Sequence, residues 1–203
     1  MAEGGPIEEA ARAALDGKLV VVPTDTVYGI GTRPDDPDAT ARLVEAKRRP
    51  EHLELPVLVA SLEAAERIGV IDDRARALTR ELWPGALTVV IPRRKESSRW
   101  ALGGNERTIG VRMPGHPVAL ALLRRAGALA VTSANISGQP TPTTCEALHS
   151  VFGATVEIYL CEKEALTGRA STVVDVSGTV ITILREGEIP ASIVFDVLER
   201  DAT

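Results

Sequence analysis

Small polar side chains cluster in two segments that follow apolar runs of the chain. Residues 23–31 read PTDTVYGIG, and residues 131–138 read VTSANISG. Each apolar run predicts a strand, and hydroxyl, amide and carboxylate groups at a strand end offer donors and acceptors at close range. Gly29 and Gly31 would let the backbone approach a ligand. The two segments predict a ligand site, with capped polar turns as the alternative.

Cationic side chains occupy three further segments. Residues 47–50 read KRRP at a predicted helix end, where cations either complement the helix dipole or clamp a phosphate. Arg112 lies inside the apolar run 108–114 (TIGVRMP), and a buried guanidinium needs a carboxylate, either from a protein partner or from an anionic substrate. Arg185 ends a predicted strand beside the strand that starts at Ser171. These segments predict binding of phosphate or carboxylate groups.

The sequence lacks the glycine-rich loops that usually hold phosphates. Residues 29–34 read GIGTRP, which fails the dinucleotide fingerprint, and neither GxxxxGK[ST] nor GxSxG occurs. The three histidines are isolated, which argues against a transition-metal site. Cys145 and Cys161 are predicted to be thiols in a reducing compartment, because their spacing matches neither a zinc site nor a disulfide framework. Side-chain cations and hydroxyls must therefore hold any nucleotide.

Composition places the chain among ordinary globular proteins, since 44% of its 203 residues are hydrophobic and 25% are charged. The net charge of −5 argues against a protein that coats a nucleic acid, but it is compatible with a local cationic pocket. Only four residues are lysines, so a site that uses a lysine has few candidates. No signal peptide or membrane-spanning apolar stretch occurs, and we expect a cytoplasmic protein without membrane association.

Helices and strands are predicted to alternate without a strict βαβ rhythm, and one strand pair is predicted to be a hairpin around Ser177-Gly178. This pattern favours a single α/β domain over residues 1–203 with a mixed sheet. The polar segment 93–107 predicts a surface loop, with a mobile flap over a site as the alternative. Helices are predicted at 7–15, 38–47, 61–68, 73–83, 116–126, 144–152 and 190–200, and strands at 18–22, 57–60, 87–91, 108–113, 129–132, 157–160, 171–176 and 180–184.

Seven segments, taken in order, resemble the YrdC-like family, in particular the threonylcarbamoyl-AMP synthases of the TsaC type. The resemblance covers about residues 7–190, nearly the whole chain. Seven ordered matches are far more specific than any single one. The matching segments are PTDTVYGIG (23–31), KRRP (47–50), WPGALT (83–88), TIGVRMP (108–114), TSANISG (132–138), STVVD (171–175) and LREG (184–187).

The resemblance implies a YrdC-like fold, which is a twisted, open sheet of parallel and antiparallel strands with helices around a large concave cationic pocket. It implies condensation of L-threonine, bicarbonate (or CO2) and ATP into threonylcarbamoyl-AMP, with release of pyrophosphate. Mg2+ would be carried by the ATP phosphates. A partner transferase would then move the threonylcarbamoyl group to tRNA, and the enzyme itself could bind tRNA or other RNA weakly.

The resemblance assigns roles to the residues that match the family's segments. Lys47 and Arg49 would grip the ATP phosphates and act in catalysis. The residues assigned to L-threonine are Thr26, Arg112, Thr132 and Ser171. The other residues assigned to ATP are Thr108, Ser133, Asn135, Thr141 and Arg185.

One stretch departs from the family's pattern, which usually continues after KxRP with NPLxVH. Residues 51–60 read EHLELPVLVA, with Leu55 where an Asn is usual and Ala60 where a threonine-contacting His is usual. His52 could compensate if the loop folds back. The departure keeps two alternatives open. One is a paralogue that binds double-stranded RNA, tRNA or nucleotide without threonine-specific synthesis, and the other is an enzyme that uses a different carbamoyl compound.

Overall fold

The computed structural model describes residues 5–50, 53–166 and 168–201. These residues contain seven α-helices and one sheet of nine strands. The strands are β1 (Val20–Val22), β2 (Gly29–Thr32), β3 (Val57–Leu58), β4 (Leu87–Pro92), β5 (Thr108–Arg112), β6 (Leu129–Ser133), β7 (Ile158–Tyr159), β8 (Thr172–Asp175) and β9 (Thr182–Arg185). The helices are α1 (Pro6–Leu15), α2 (Pro37–Ala46), α3 (Leu62–Ile68), α4 (Asp73–Leu82), α5 (Pro117–Ala126), α6 (Cys145–Phe152) and α7 (Ala191–Asp201). Within these ranges, none of the helices has the length and apolar composition to cross a membrane.

The strand order is β7-β1-β2-β6-β3-β5-β4-β8-β9, which mixes both strand directions. Strands β1, β3 and β4 pair in parallel with β7, β5 and β8, respectively. The other neighbouring pairs are antiparallel, including the β8–β9 hairpin predicted around Ser177-Gly178. The pairing confirms the predicted α/β class with a mixed, open sheet.

Polar side chains fix the points where several helices begin. Asp36, Ser61 and Asp72 accept hydrogen bonds from backbone N–H groups in the first turns of α2, α3 and α4. These bonds satisfy amides that a helix start otherwise leaves unpaired. Ser61 and Asp72 therefore act as N-caps of α3 and α4. At the other end of α2, Arg48 has a φ of 48°, a left-handed conformation that ends the helix.

Side chains alternate across the central strands, and the two faces of the sheet have different surroundings. Val89 and Val111 point to one face and belong to the larger hydrophobic core. Thr88, Gly110 and Arg112 point to the opposite face, because neighbouring residues of a strand point in opposite directions. There, α1 and α5 pack against β1, β3 and β6, whereas β4, β5 and β8 contribute to the wall of a cavity. Incomplete coverage of one sheet face therefore creates the cavity.

Strand β2 is an element that the sequence analysis did not predict. Two of its four residues are glycines, which weaken the strand pattern. It pairs with β1 and β6 so closely that a Cβ atom at Gly31 would lie 2.6 Å from the carbonyl oxygen of Ala130. The same glycines that obscure the strand permit this approach.

The segment 93–107 is a surface loop, as predicted, but parts of it are anchored. Arg93 Nη1 donates to the carbonyl oxygens of Ser97 at 3.2 Å and Trp100 at 3.0 Å. The side chains of Ser97 and Leu102 are buried. None of the residues of this loop lines the cavity, so the structure gives no support to a flap over it.

Cys145 and Cys161 form a disulfide bond, so the prediction of two separate thiols was wrong. Cys145 begins α6, and Cys161 follows β7, which brings their Cα atoms to 5.8 Å, within the usual range for a disulfide. Sequence spacing could not show this, because the proximity depends on how α6 returns to the edge of the sheet.

Because of the disulfide between Cys145 and Cys161, we expect the thermal stability of the protein to fall when a reductant is added. A disulfide closing a loop of this size contributes about 3 kcal/mol, which corresponds to roughly 6–12 °C in Tm for a domain of about 200 residues. Thermal unfolding with and without reductant should show this loss for the wild-type protein. A Cys145→Ser/Cys161→Ser variant should have the lower Tm in both buffers. Free thiols and an unchanged wild-type Tm would contradict the prediction.

Candidate functional site

The cavity on the open sheet face has a volume of about 370 Å³ and collects most of the predicted site residues. The predicted residues that line it are Thr26, Arg49, Arg112, Thr132, Ser133, Ser171 and Arg185. The predicted residues outside the lining are Lys47, Thr108, Asn135 and Thr141. Its charged lining groups are the guanidinium groups of Arg49, Arg112 and Arg185 and the carboxyl group of Glu54.

The guanidinium of Arg112 is buried in β5 and bonds to three protein acceptors. Nη2 donates to Oδ1 of Asp25 at 2.7 Å, Nη1 to Oγ1 of Thr26 at 3.0 Å, and Nε to the carbonyl oxygen of Gly85 at 2.9 Å. Burial lowers the pKa of Arg112 and the charge of Asp25 opposes this effect, but a guanidinium stays protonated in proteins. Asp25 thus supplies a protein carboxylate for Arg112.

Arg112 lines the cavity and also has N–H groups that bond to no protein acceptor among the described residues. A guanidinium has five N–H groups, and three of them are used in these bonds. One N–H on each terminal nitrogen has no protein acceptor among the described residues. Arg112 therefore keeps hydrogen-bonding capacity for a further acceptor while it is paired with Asp25.

Thr26 has a hydroxyl group whose hydrogen is already committed. Thr24 Oγ1 donates its single hydrogen to the carbonyl oxygen of Val27 at 2.6 Å. In the 2.9 Å bond between the hydroxyls of Thr24 and Thr26, Thr26 must therefore be the donor. Because Thr26 Oγ1 also accepts from Arg112, one lone pair is left. Thr26 can accept a hydrogen bond from a ligand but cannot donate one.

Ser171 and Arg185 meet in the cavity lining, as their neighbouring strands predicted. Arg185 donates to the carbonyl oxygen of Ser171 from Nε at 3.1 Å and from Nη2 at 2.8 Å, and to its Oγ at 3.2 Å. The Ser171 hydroxyl lies 2.9 Å from Oγ1 of Thr88 on β4. Burial lowers the pKa of Arg185. These bonds hold both side chains in place before any ligand arrives.

Arg49 reaches the cavity from the segment that follows α2. Its Nη2 donates to the carbonyl oxygen of Glu54 at 3.0 Å, and its Nε to that of Leu53 at 3.3 Å. Burial lowers the pKa of Arg49, and the positive charge of Arg185 lowers it further. The two guanidinium groups are thus close enough to repel each other. An anion bound near both would relieve that repulsion.

Lys47 is fully buried at the end of α2 and does not line the cavity. Its Nζ donates to the carbonyl oxygen of Asn135 at 2.6 Å and to that of Ser133. Burial lowers the pKa of Lys47 to about 8, with a further contribution from Arg49, so most of the amine is protonated at pH 7. Two of its three N–H groups stabilise the turn after β6, and the third has no acceptor among the described residues.

Asn135 and Thr141 belong to a hydrogen-bonded cluster beside Ser133. Asn135 Nδ2 donates to the carbonyl oxygens of Ile136 and Gln139, both at 2.8 Å. Its Oδ1 accepts from Ser133 Oγ and, at 3.4 Å, from Thr141 Oγ1. Of this cluster only Ser133 lines the cavity. The turn after β6 is thereby ordered by its own side chains.

Thr108 lies at the start of β5, on the same face as Gly110 and Arg112 because it is two and four residues away from them. Its side chain is half-buried and does not line the cavity. Thr108 therefore lies at the opposite end of β5 from Arg112, about 13 Å away for four residues of a strand.

Among the described residues, Glu54 is the one carboxylate in the lining. Its Oε1 is buried, makes no hydrogen bond and lies 3.7 Å from Nη2 of Arg93. Burial raises the pKa of Glu54 to about 7, although the charge of Arg93 opposes the shift. This group can change its charge near neutral pH, within a cavity that also contains three guanidinium groups.

The residues that depart from the family's pattern do not face the cavity. Leu55 is fully buried in the core, and its N–H donates to the carbonyl oxygen of Leu102 at 2.7 Å. Ala60 packs against the core cluster of α1 and α5. Leu53 and Glu54 line the cavity instead. His52, considered as a substitute ligand, lies outside the described residues.

Four further residues shape the site although the sequence analysis gave them no role. Asp25, Gly85 and Thr88 lie within the quoted segments, and the need of Arg112 for a carboxylate could have singled out Asp25. Glu54 has no such signal, since nothing in its sequence neighbourhood distinguishes it from an exposed glutamate. Its importance comes only from its position in the lining.

Comparison with protein families gives one match over most of the chain. The Sua5/YciO/YrdC family model, which carries the description "Telomere recombination", matches residues 12–187. A Mycobacterium tuberculosis protein assigned as a threonylcarbamoyl-AMP synthase is 42% identical over 197 residues, covering 97% of this chain and 90% of that protein. The threonylcarbamoyl-AMP synthase of Bacillus subtilis is 35% identical over 186 residues, covering 90% of this chain and 54% of that protein.

A solved structure has the same architecture. The crystal structure of Sua5 from Pyrococcus abyssi complexed with L-threonine superposes with a TM-score of 0.88 at 37% sequence identity. The match covers 94% of this chain and 56% of the Pyrococcus chain. The present chain thus spans a little over half the length of this structural relative.

The shifted pKa of Glu54 predicts a pH-dependent effect of Glu54→Gln on stability. Between about pH 4.5 and about pH 7, the folded protein retains a proton that the unfolded chain has released, so the free energy of unfolding falls as pH rises through this window. The variant lacks this effect. Its Tm should equal that of the wild type near pH 5 and exceed it at pH 8. Glu63→Gln, on the exposed side of α3, is the control. A Tm difference independent of pH would contradict the assignment.

Proposed function

We propose a function for this chain from its family: it belongs to the Sua5/YciO/YrdC family, whose model matches residues 12–187. The protein is a threonylcarbamoyl-AMP synthase, which condenses L-threonine, bicarbonate and ATP into threonylcarbamoyl-AMP and pyrophosphate. The observation that carries this proposal is the buried Arg112, which lines the cavity with two unused N–H groups, in a fold that a relative uses to bind L-threonine. A guanidinium with unused N–H groups can bind a substrate carboxylate.

The threonine end of the cavity lies around Arg112. The substrate carboxylate would take the free N–H of each terminal nitrogen. Thr26 Oγ1, which can only accept from a ligand, would receive the N–H of the amino group or of the carbamate. Thr132 and Ser171 line the same cavity and would contact the rest of the amino acid.

The nucleotide end would lie between the mutually repelling Arg49 and Arg185, which are suited to the phosphates. Ser133 lines the cavity beside the buried ammonium of Lys47, whose free N–H would reach a phosphate oxygen next to it. The other residues proposed to contact ATP are Thr108, Asn135 and Thr141.

The chemistry requires positioning and charge neutralisation more than a protein nucleophile. A carbamate oxygen of the substrate attacks the α-phosphorus of ATP, the bond to the β-phosphate bridging oxygen breaks, and pyrophosphate leaves. Arg49, Arg185 and Lys47 would stabilise charge on the phosphates as it shifts to the leaving group. Arg112 would hold the other end of the substrate so that the carbamate is aligned.

We also propose that Mg2+ enters with ATP. The described residues of the lining offer guanidinium and hydroxyl groups, and Glu54 is the one carboxylate among them. This donor set fits phosphate oxygens better than a bare divalent cation. When bound, the ion would neutralise phosphate charge. No residue of this chain is assigned to it as a ligand.

The product would pass to a tRNA threonylcarbamoyl transferase, and this use in tRNA modification supports a cytoplasmic location. Any direct contact with tRNA would be weak, because the net charge of −5 disfavours binding to a polyanion. A disulfide is unusual in the cytoplasm. The redox state of Cys145 and Cys161 in cells would therefore bear directly on the proposed location.

Pyrophosphate release measured with and without L-threonine tests the proposed function. With ATP and bicarbonate present, release should depend on L-threonine and fall when bicarbonate is removed. Other amino acids are the matched controls. Release without threonine dependence would favour an enzyme that uses a different carbamoyl compound. No release, together with RNA binding, would favour the RNA-binding paralogue.

Substitutions at the two ends of the cavity should separate the two substrates. Arg49→Ala should lower kcat/KM for ATP by roughly 10²–10³, the range for losing one charged transition-state donor. Arg112→Ala should raise KM for threonine roughly tenfold or more and change KM for ATP much less. Arg112→Lys, which keeps the charge but not the fork, should be intermediate. Equal effects of Arg112→Ala on both substrates would contradict the carboxylate role.

A further inference from the structure

Asp25 links the chain segment after β1 to the end of β5. Its Oδ1 accepts from Arg112 Nη2 at 2.7 Å and from the backbone N–H of Gly115 at 2.8 Å. The Asp25 side chain is 21% exposed and that of Arg112 only 7%. Asp25 does not itself line the cavity. It therefore contacts the guanidinium from a position outside the cavity lining.

Among the described residues, Asp25 is the one carboxylate within 4.0 Å of Arg112. The other two acceptors of Arg112, on Thr26 and Gly85, are neutral oxygens. A guanidinium can rotate about its side-chain bonds, so its orientation depends on how many of its nitrogens are fixed. Here each of the three nitrogens has a different partner: Asp25 and Thr26 belong to the segment after β1, and Gly85 belongs to the segment before β4. Removing the Asp25 side chain leaves Nη2 of Arg112 without its protein acceptor.

We propose that Asp25 is a positioning residue for L-threonine: it fixes the Arg112 guanidinium in the orientation that receives the substrate carboxylate. This inference rests on the proposed function, because it takes L-threonine as the ligand of Arg112. The Gly115 contact makes the arrangement rigid, since the same Asp25 oxygen is held by a backbone N–H of the segment after β5.

Two other roles for Asp25 predict different results. If Asp25 competed with the substrate for Arg112, its removal would tighten threonine binding. If it only stabilised the fold, its removal would affect threonine and ATP alike. Asparagine keeps a side-chain oxygen that can accept from both Arg112 and Gly115 but carries no charge. Comparison of Asp25→Asn with Asp25→Ala therefore separates geometry from charge.

The experiment measures KM for L-threonine and for ATP by pyrophosphate release, threonine affinity by calorimetric titration, and Tm for each variant. Asp35→Asn is the control, since Asp35 forms an exposed pair with Arg33 at 2.8 Å on another part of the surface. Asp25→Ala should weaken threonine binding roughly tenfold or more, with KM for ATP within about twofold of the wild type. Asp25→Asn should stay within about threefold for both substrates, and Asp35→Asn should match the wild type.

Three outcomes would overturn the inference. Tighter threonine binding by Asp25→Ala would show competition, and equal rises in both KM values would show a general structural role. Equal losses in Asp25→Asn and Asp25→Ala would show that charge, not geometry, matters. If the wild type binds L-threonine without releasing pyrophosphate, the proposed function fails while the titration still tests Asp25. A wild type that neither binds nor uses L-threonine overturns both.

Discussion

The buried guanidinium of Arg112 is the constraint on which the site depends. A charge in the middle of a sheet is very costly unless it is paired and hydrogen-bonded. Asp25 and Thr26 approach it from the segment after β1, and Gly85 from the segment before β4. Three segments that are distant in sequence must therefore converge before Arg112 can be buried. The same convergence builds the part of the cavity that recognises a carboxylate.

The cavity follows from how the sheet is covered. Apolar residues such as Val89 and Val111 point into the main core, and their strand neighbours Thr88 and Arg112 point to the face where α1 and α5 cover only the β1, β3 and β6 region. Polar side chains can occupy the remaining area because solvent or ligand reaches it. Guanidinium groups gather there at the cost of mutual repulsion, seen in the lowered pKa of Arg49 beside Arg185. An anionic ligand offsets that cost.

Sequence patterns predicted most helices and strands because their periodicity and caps are local properties, as Ser61 and Asp72 illustrate. They also predicted that Arg112 needs a carboxylate, but not whether Asp25 would supply it. Strand β2, the bond between Cys145 and Cys161, and the place of Glu54 in the lining were not predicted. Each depends on tertiary contacts between distant segments, which composition and spacing do not encode. The burial of Lys47 could not be predicted from sequence either, because it depends on the contact between the end of α2 and the carbonyl oxygen of Ser133.

The central claim is that Arg112, held by protein partners, recognises a substrate carboxylate. The most direct measurement is titration of the wild-type protein and of Arg112→Ala with L-threonine and with L-threoninamide, which keeps the amino and hydroxyl groups but lacks the carboxylate. The account predicts that the wild type binds threonine roughly tenfold or more tightly than the amide, and that Arg112→Ala loses this preference. Equal affinity of the wild type for the two ligands would contradict it.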